Sequence, residues 1–145
     1  MIGIDTSFLV GLSIREHPAH ERCQRLFNEE IRGRTASAAL APQVLTEFAH
    51  VVTDPRRFEQ PLTMAASLEI ARQWAQAGEC RIIPPGAEAT AILLTWMQRY
   101  RLGRKRLLDT LLAATYHSAG VTRIATTNWR DFSVFGVFQI DALGQ

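Results

Sequence analysis

Cysteines are scarce in this 145-residue sequence, and long hydrophobic runs are missing from it. Cys23 and Cys80 match no metal-ligand spacing, so we expect two buried thiols in a reducing compartment and no need for a disulfide. No apolar stretch approaches the roughly 18 residues of a membrane span, and the first residues lack the charged and then apolar pattern of a signal peptide. We therefore expect a cytoplasmic protein that does not enter a membrane.

Lysine is the other scarce residue. Lys105 is the one lysine among 16 positively charged residues, and the net charge is only +2. Because the arginine guanidinium binds phosphate in a bidentate manner, this bias favours an anionic partner without identifying it. Five positive charges lie between positions 99 and 106, beside Tyr100. Such a run is most often a solvated surface, although this one leads directly into an acidic motif.

Short apolar runs alternate along the chain with segments of helical periodicity. We predict strands at residues 1–4, 80–83 and 121–126, and helices at residues 42–53, 63–77 and 106–116. The alternation predicts an α/β fold with a central, mainly parallel sheet flanked by helices. The length predicts one domain over residues 1–145, with about two-thirds of its surface buried on folding.

Two of the predicted helices carry apolar stripes that we expect in the core. In the helix at residues 63–77, Met64, Leu68 and Ala71 share one face with Trp74 beside them. In the helix at residues 106–116, the apolar face holds Leu108, Leu111, Leu112 and Thr115.

The first strand ends at an acid, Asp5. A strand of Met, Ile, Gly and Ile is typical of the middle of a parallel sheet, and ligands bind at the carboxyl ends of such strands. Asp5 is therefore a candidate functional residue. The alternative is that Asp5, Thr6 or Ser7 caps the helix that follows, since all three residue types accept hydrogen bonds from free helix N–H groups.

Two further acids lie at the borders of apolar helix faces. Glu47 borders the stripe of the helix at residues 42–53, where it could reach into a cleft, although a solvated surface position is the commoner fate of a helical Glu. Asp109 borders the face of the helix at residues 106–116, and Ala113 leaves space one turn later. The alternative role of Asp109 is a favourable interaction with the helix dipole, worth about 0.3–1 kcal/mol.

A fourth acid, Asp131, follows the strand predicted at residues 121–126, within the sequence Thr-Asn-Trp-Arg-Asp-Phe at residues 127–132. A strand ending in Asp5-Thr-Ser, helix-borne Glu47, Leu-Leu-Asp109 with Ala113 one turn later, and Thr-Asn-x-x-Asp131-Phe occur in this order. This arrangement resembles the PIN domain family, and most of all the VapC-type toxins of bacterial toxin–antitoxin modules. The resemblance covers essentially the whole chain, including the Asp-Pro-Arg-Arg-Phe turn at residues 54–58.

The resemblance implies a PIN-like three-layer fold and cleavage of single-stranded or loop RNA that depends on Mg²⁺ or Mn²⁺. It implies metal-binding and catalytic roles for four acids, namely Asp5, Glu47, Asp109 and Asp131. Ser7 matches the small polar residue beside the first acid, while Thr127 and Asn128 occupy a neighbourhood where some family members place another acid. We expect these three residues to surround the metal ligands and to orient ligands or water. Binding of RNA is expected from the basic residues Arg101, Arg104, Lys105 and Arg106, with Arg15 and Arg130 as further candidates. A cognate VapB-like antitoxin and a homodimer are also implied.

The chemistry explains why carboxylates would collect in one place. Mg²⁺ prefers oxygen ligands, retains several waters and activates water for attack on a phosphodiester. Without a cation, two unit charges 4 Å apart repel by about 1 kcal/mol in water and about 4 kcal/mol at an effective dielectric of 20.

Two other functions are compatible with parts of the pattern. One is a non-catalytic PIN-like module that binds RNA or protein, against which the presence of all four acids argues. The other is a phosphatase with a nucleophilic aspartate after its first strand. Such enzymes typically carry a second Asp two residues later, where this sequence has Ser7.

Overall fold

The computed structural model describes residues 1–144 and contains five strands in one sheet. The strands are β1 (Ile2–Ile4), β2 (Ala38–Leu40), β3 (Cys80–Ile82), β4 (Arg123–Thr126) and β5 (Gln139–Ala142). Their order across the sheet is β3-β2-β1-β4-β5, and every neighbouring pair is parallel. The predicted parallel sheet is therefore confirmed.

Helices fill the connections between the strands. They are α1 (Thr6–Ser13), α2 (His20–Leu26), α3 (Pro42–Val52), α4 (Met64–Gln76), α5 (Ala87–Arg99), α6 (Leu107–Ser118) and α7 (Trp129–Ser133). A π-helical turn at Phe27–Ile31 extends α2, and a 3₁₀ turn at Arg104–Arg106 precedes α6. Thr63 caps α4 by accepting a hydrogen bond from the Ala66 N–H, as its residue type favours.

The direction of chain progression reverses at β1. From β1 the chain moves outward through β2 to β3, and it then returns to place β4 and β5 on the other side of β1. Right-handed crossovers consequently put α1–α4 on one face of the sheet and α5–α7 on the other. Contacts between helices follow this division, because α3 packs against α1 and α4, while α6 packs against α5 and α7. The carboxyl ends of β1 and β4 thus meet at a topological switch point, where α/β sheets form ligand crevices.

Tyr116 connects α6 to the carboxyl ends of β1 and β2. Its side chain is fully buried, its hydroxyl donates to the Ile4 carbonyl at 2.6 Å, and the Ala41 N–H donates to the same hydroxyl at 3.2 Å. Gly3 provides the space, since a Cβ at this position would lie 2.8 Å from the Tyr116 ring. One side chain therefore fixes the position of α6 relative to β1.

We expect Tyr116→Phe to lower the free energy of unfolding by about 1–3 kcal/mol, because the buried Ala41 N–H and Ile4 carbonyl both lose a partner. Urea denaturation measures this loss. The matched control is Tyr100→Phe, since the Tyr100 hydroxyl has no hydrogen bond to protein within residues 1–144. The proposed role of the hydroxyl fails if the two variants lose equal stability.

Some of the predicted core residues lie at the surface instead. Met64, Leu68 and Leu108 are 52%, 46% and 66% exposed, so their assignment to the core was wrong. In α4 the buried positions are Ser67 and Ala71, and in α6 the buried face centres on residues 112–116. In α4 the side chains of Ile70 and Trp74 also pack against the core, and in α6 the buried face includes Leu112 and Tyr116, so the covered side of each helix is rotated away from Met64, Leu68 and Leu108. Cys23 is buried as predicted, and Cys80 is partly exposed.

Candidate active site

A cleft of about 580 Å³ opens at the carboxyl edge of the sheet. It lies where β1 ends at Ile4 and β4 ends at Thr126. Six of the residues predicted from the sequence line this cleft, namely Asp5, Ser7, Glu47, Asp109, Thr127 and Asn128. Four separate segments of the chain supply them, so the fold brings together residues that are more than 100 positions apart.

Asp5 is the most enclosed of the acids, with only 5% of its surface exposed. One carboxylate oxygen, Oδ2, accepts hydrogen bonds from the Ser7 hydroxyl at 2.6 Å and the Thr126 hydroxyl at 2.8 Å. Burial raises the pKa of Asp5 above its usual value and the Glu47 charge adds to this rise, while the two hydroxyls oppose it. The two hydroxyls therefore hold the Asp5 carboxylate in one orientation, and burial makes its ionised form unfavourable.

The alternative role of Asp5, as a helix cap, does not agree with these contacts. Asp5 occupies the cap position of α1, but its side chain makes no capping hydrogen bond. The carboxylate is directed instead to hydroxyls from α1 and β4. The Asp5 side chain thus belongs to the cleft and does not cap the helix.

Glu47 is partly buried and reaches the same cleft from α3. Its Oε2 accepts a hydrogen bond from the Thr6 hydroxyl at 3.2 Å. Because Thr6 is the residue after Asp5, this bond ties the side chain of Glu47 to the end of β1. A freely solvated surface Glu would have no such partner. From the border of the apolar helix face, the side chain of Glu47 therefore reaches into the cleft.

Asp109 lies in the first turn of α6, and like charges surround it in the cleft. Burial and then the charges of Asp5, Asp131 and Glu47 raise its pKa from 3.8 to about 7, against the opposing effect of Arg106. Stabilisation by the helix dipole alone would favour the ionised form. The arrangement instead disfavours the ionised form, because it gathers like charges.

Asp131 takes a position beside the cleft rather than in its lining. It lies in α7 on a smaller adjoining depression with Thr127, Asn128 and Arg130. Arg106 lies against it, with Nε 3.9 Å from the Asp131 carboxylate and a second guanidinium nitrogen donating to the Asp131 carbonyl. Asp131 is near enough to affect Asp109 electrostatically, but its closest charged partner is an arginine.

Hydroxyl groups connect the ends of β1 and β4. The Ser7 hydroxyl accepts from the Thr127 N–H at 2.9 Å, and the Thr126 hydroxyl accepts from the Asn128 N–H at 2.9 Å. The sequence-based prediction included Ser7, Thr127 and Asn128 but omitted Thr126 and Thr6, which bind the carboxylates of Asp5 and Glu47. Thr126 had a detectable signal, because it ends a parallel strand and such strand ends lie at the same sheet edge as Asp5.

The predicted basic residues are not part of the cleft lining. Arg101, Arg104 and Lys105 are exposed on the connection between α5 and α6, and Arg106 contacts Asp131. Arg130 lies over the Trp129 ring at 5.3 Å from its centroid. The arginine that does line the cleft is Arg57, in the turn after α3. The sequence-based prediction did not select it, although its Asp-Pro-Arg-Arg-Phe motif was recognised.

The acids of the cleft have the donor chemistry of a site for a hard divalent cation. No group of three His, Cys, Asp or Glu side chains within residues 1–144 is arranged as a complete ligand set. Mg²⁺ requires less than this, since it retains several waters and commonly binds one or two carboxylates together with substrate phosphates. The carboxylates of Asp5 and Asp109, both with raised pKa values, match that requirement.

Comparison with known proteins finds similar sequences over nearly the whole chain. The family model of the PIN domain matches residues 2–136. Ribonuclease VapC24 of Mycobacterium tuberculosis is 28% identical over 142 residues, which cover 97% of this chain and 94% of that protein.

Solved structures show the same architecture. The crystal structure of Mycobacterium tuberculosis VapC20, a sarcin–ricin loop cleaving toxin, superposes with a TM-score of 0.73 at 19% identity and covers 94% of this chain and 96% of that chain. A toxin–antitoxin complex from Klebsiella pneumoniae gives a TM-score of 0.64 at 15% identity and covers 96% of each chain.

The fold and the site define a small α/β protein with a carboxylate-lined cleft at the switch point of a parallel sheet. Since the family model spans nearly the whole length, the chain belongs to the PIN domain family. The predicted PIN-like three-layer fold is confirmed. In residues 1–144, no helix has the length and apolar character needed to cross a membrane.

Proposed function

We propose that this protein is a metal-dependent endoribonuclease of the VapC type that hydrolyses phosphodiester bonds in single-stranded or loop RNA. The observation that carries the proposal is the convergence of Asp5, Glu47 and Asp109 from three chain segments on one cleft, where burial and like charges raise the pKa of Asp109 to about 7. A fold that brings carboxylates together at such cost is well explained by a cation. Ribonuclease VapC24, similar over nearly the full chain, supports RNA as the substrate.

In this proposal, Asp5 and Asp109 would hold a Mg²⁺ or Mn²⁺ ion, with Glu47 in the same cleft and Asp131 beside it. A bound ion of this kind lowers the pKa of a water and offsets charge on the phosphoryl oxygens. Ser7 and Thr126 fix the carboxylate of Asp5 by hydrogen bonds to its Oδ2, and Thr6 fixes Glu47. Thr127 and Asn128 line the same cleft and would orient water or substrate there.

The proposal extends to the setting of the enzyme. Similarity to a toxin–antitoxin complex supports inhibition by a cognate VapB-like antitoxin. A homodimer, a single PIN domain over residues 1–145 and a cytoplasmic location belong to the same proposal. The match of the family model to residues 2–136 supports the single domain.

The direct test is gel analysis of a mixed pool of structured RNAs incubated with purified protein in Mg²⁺ or Mn²⁺. We expect discrete fragments with either cation and intact RNA in EDTA, with cleavage restored when the cation is added back in excess. Cleavage that persists in EDTA contradicts the metal requirement. RNA that stays intact in both cations while the protein still binds it points to the non-catalytic module.

A further inference from the structure

Two connecting loops form a wall of the cleft that contains none of the predicted acids. The loop between α1 and α2 contributes the acid Glu16 and His17, and the turn between α3 and α4 contributes Arg57 and Phe58. We call His17, Arg57 and Phe58 the loop wall. They place a cation, an imidazole and an aromatic ring around a cleft whose other charged residues are acids.

The backbone and one ring nitrogen hold His17 in place. Its N–H donates to the Ile14 carbonyl, and its Nδ1 accepts from the Ala19 N–H at 3.0 Å. Burial, with a smaller contribution from His20, lowers the pKa of His17, so that its ring is neutral at neutral pH. With Nδ1 acting as acceptor, the proton resides on Nε2, which has no protein partner in the described part of the chain. His17 therefore supplies an N–H donor.

A turn built on Asp54 holds Arg57 and Phe58. The Asp54 carbonyl accepts from the N–H groups of both residues, at 3.1 Å and 3.2 Å. The Asp54 carboxylate accepts from the Arg56 N–H at 2.9 Å and lies 3.6 Å from the Arg57 guanidinium. Phe58 is partly buried against the core. The turn thus presents one arginine and one aromatic ring to the cleft, while Arg56 lies outside its lining.

We infer that the loop wall is a nucleotide-binding subsite, in which Arg57 binds an RNA phosphate, Phe58 contacts a base and His17 donates a hydrogen bond. The inference rests on the proposed function, because it assigns substrate contacts to the same cleft. A phosphate needs positive charge to approach the acids, and Arg57 supplies it from within the lining. Proteins that bind single-stranded nucleic acids combine positive charge for the phosphates with aromatic rings for the bases. Every base can stack on such a ring, so this contact does not depend on the sequence of the nucleic acid.

The first test compares two adjacent arginines of the same turn. Binding of a fluorescein-labelled single-stranded RNA of about 12 nucleotides is measured by anisotropy in EDTA, with all variants made in an Asp5→Asn background. We expect Arg57→Ala to weaken binding about tenfold and to reduce the slope of log affinity against log salt by about 0.7, the value for one phosphate contact. Arg56→Ala, the matched control, changes the affinity less than twofold. Equal effects of the two variants, or no binding in the Asp5→Asn background, overturn the inference.

The second test separates the ring of Phe58 from its packing. Phe58→Leu keeps an apolar side chain against the core, so we expect a folded protein with a modestly lowered thermal midpoint that binds RNA about tenfold more weakly. His17→Asn keeps an acceptor for the Ala19 N–H but loses the Nε2 donor, and we expect about a threefold loss. Wild-type affinity in both variants contradicts a substrate contact by the ring and the imidazole.

The outcomes distinguish this inference from the proposed function. Wild-type protein that cleaves RNA, with equal activity in Arg57→Ala and Arg56→Ala, leaves the nuclease standing and removes the subsite. Protein that cleaves nothing but loses RNA binding on Arg57→Ala removes the nuclease and leaves the subsite. An effect of Arg57→Ala on binding of a labelled poly-glutamate peptide, with none on RNA, overturns the inference in favour of an acidic protein ligand.

Discussion

We expect Asp5→Asn to reduce RNA cleavage at least about a thousandfold while the fold remains intact, a loss of about 4 kcal/mol of transition-state stabilisation. The amide removes the charge that a cation requires but retains an oxygen for the Ser7 and Thr126 hydroxyls. Because burial disfavours the Asp5 charge, we expect the metal-free variant to be no less stable than wild type. Initial rates on a labelled RNA, with thermal unfolding of each variant, measure both parts of the prediction.

Asp131→Asn provides the graded comparison. Asp131 lies outside the lining of the cleft and pairs with Arg106, so we expect a loss of about tenfold or less. Equal losses in the two variants contradict the ranking of the acids that the geometry indicates. Activity of Asp5→Asn within tenfold of wild type contradicts the central role of Asp5 altogether.

Three of the four acids could be placed at the cleft from the sequence, because their signal is topological. A strand that ends in an acid places that acid at the carboxyl edge of the sheet whatever the details of packing, and this holds for Asp5. A helix face defined by periodicity fixes the direction of Glu47 and Asp109 to within about one residue step. All three line the cleft.

What the sequence missed depends on packing between distant segments. Arg57 and Arg56 are adjacent and chemically identical, and only the turn around Asp54 decides which one faces the cleft. Leu108 fits the apolar stripe of its helix, yet it is 66% exposed because α6 packs through Ala113, Ala114 and Tyr116. Periodicity identifies a stripe, but the neighbouring elements decide which edge of that stripe is covered.

We expect Asp109→Asn to stabilise the metal-free protein at pH 8 by about 1–2 kcal/mol, although it abolishes activity. The pKa of Asp109 is about 7 in the fold, compared with 3.8 for the ordinary carboxyl. A shift of this size corresponds to about 4 kcal/mol at 1.36 kcal/mol per unit, and partial exposure of the side chain to solvent reduces it. Repulsion between Asp109 and the neighbouring acids accounts for part of this free energy. The Asp109→Asn substitution removes that repulsion, and a bound cation would offset it.

The pH dependence gives the sign of this effect. Between pH 4 and 7 the folded protein keeps a proton on Asp109 that the unfolded chain has lost, so the stability of the wild type falls as the pH rises through this range. The Asp109→Asn variant lacks this contribution, and the gap between the two proteins should widen from pH 4 to pH 8. Urea denaturation in EDTA at several pH values measures the gap.

Addition of a cation should narrow the gap in stability between the two proteins. Mg²⁺ or Mn²⁺ at ten times its dissociation constant stabilises wild type by about 1.4 kcal/mol, and the variant gains less because it has lost a ligand. Glu59→Gln, which changes an exposed acid in the turn before α4, serves as the control and should follow wild type in both conditions. An Asp109→Asn variant that is less stable than wild type at pH 8 in EDTA would show that Asp109 stabilises the fold, which contradicts a carboxylate whose charge requires a cation.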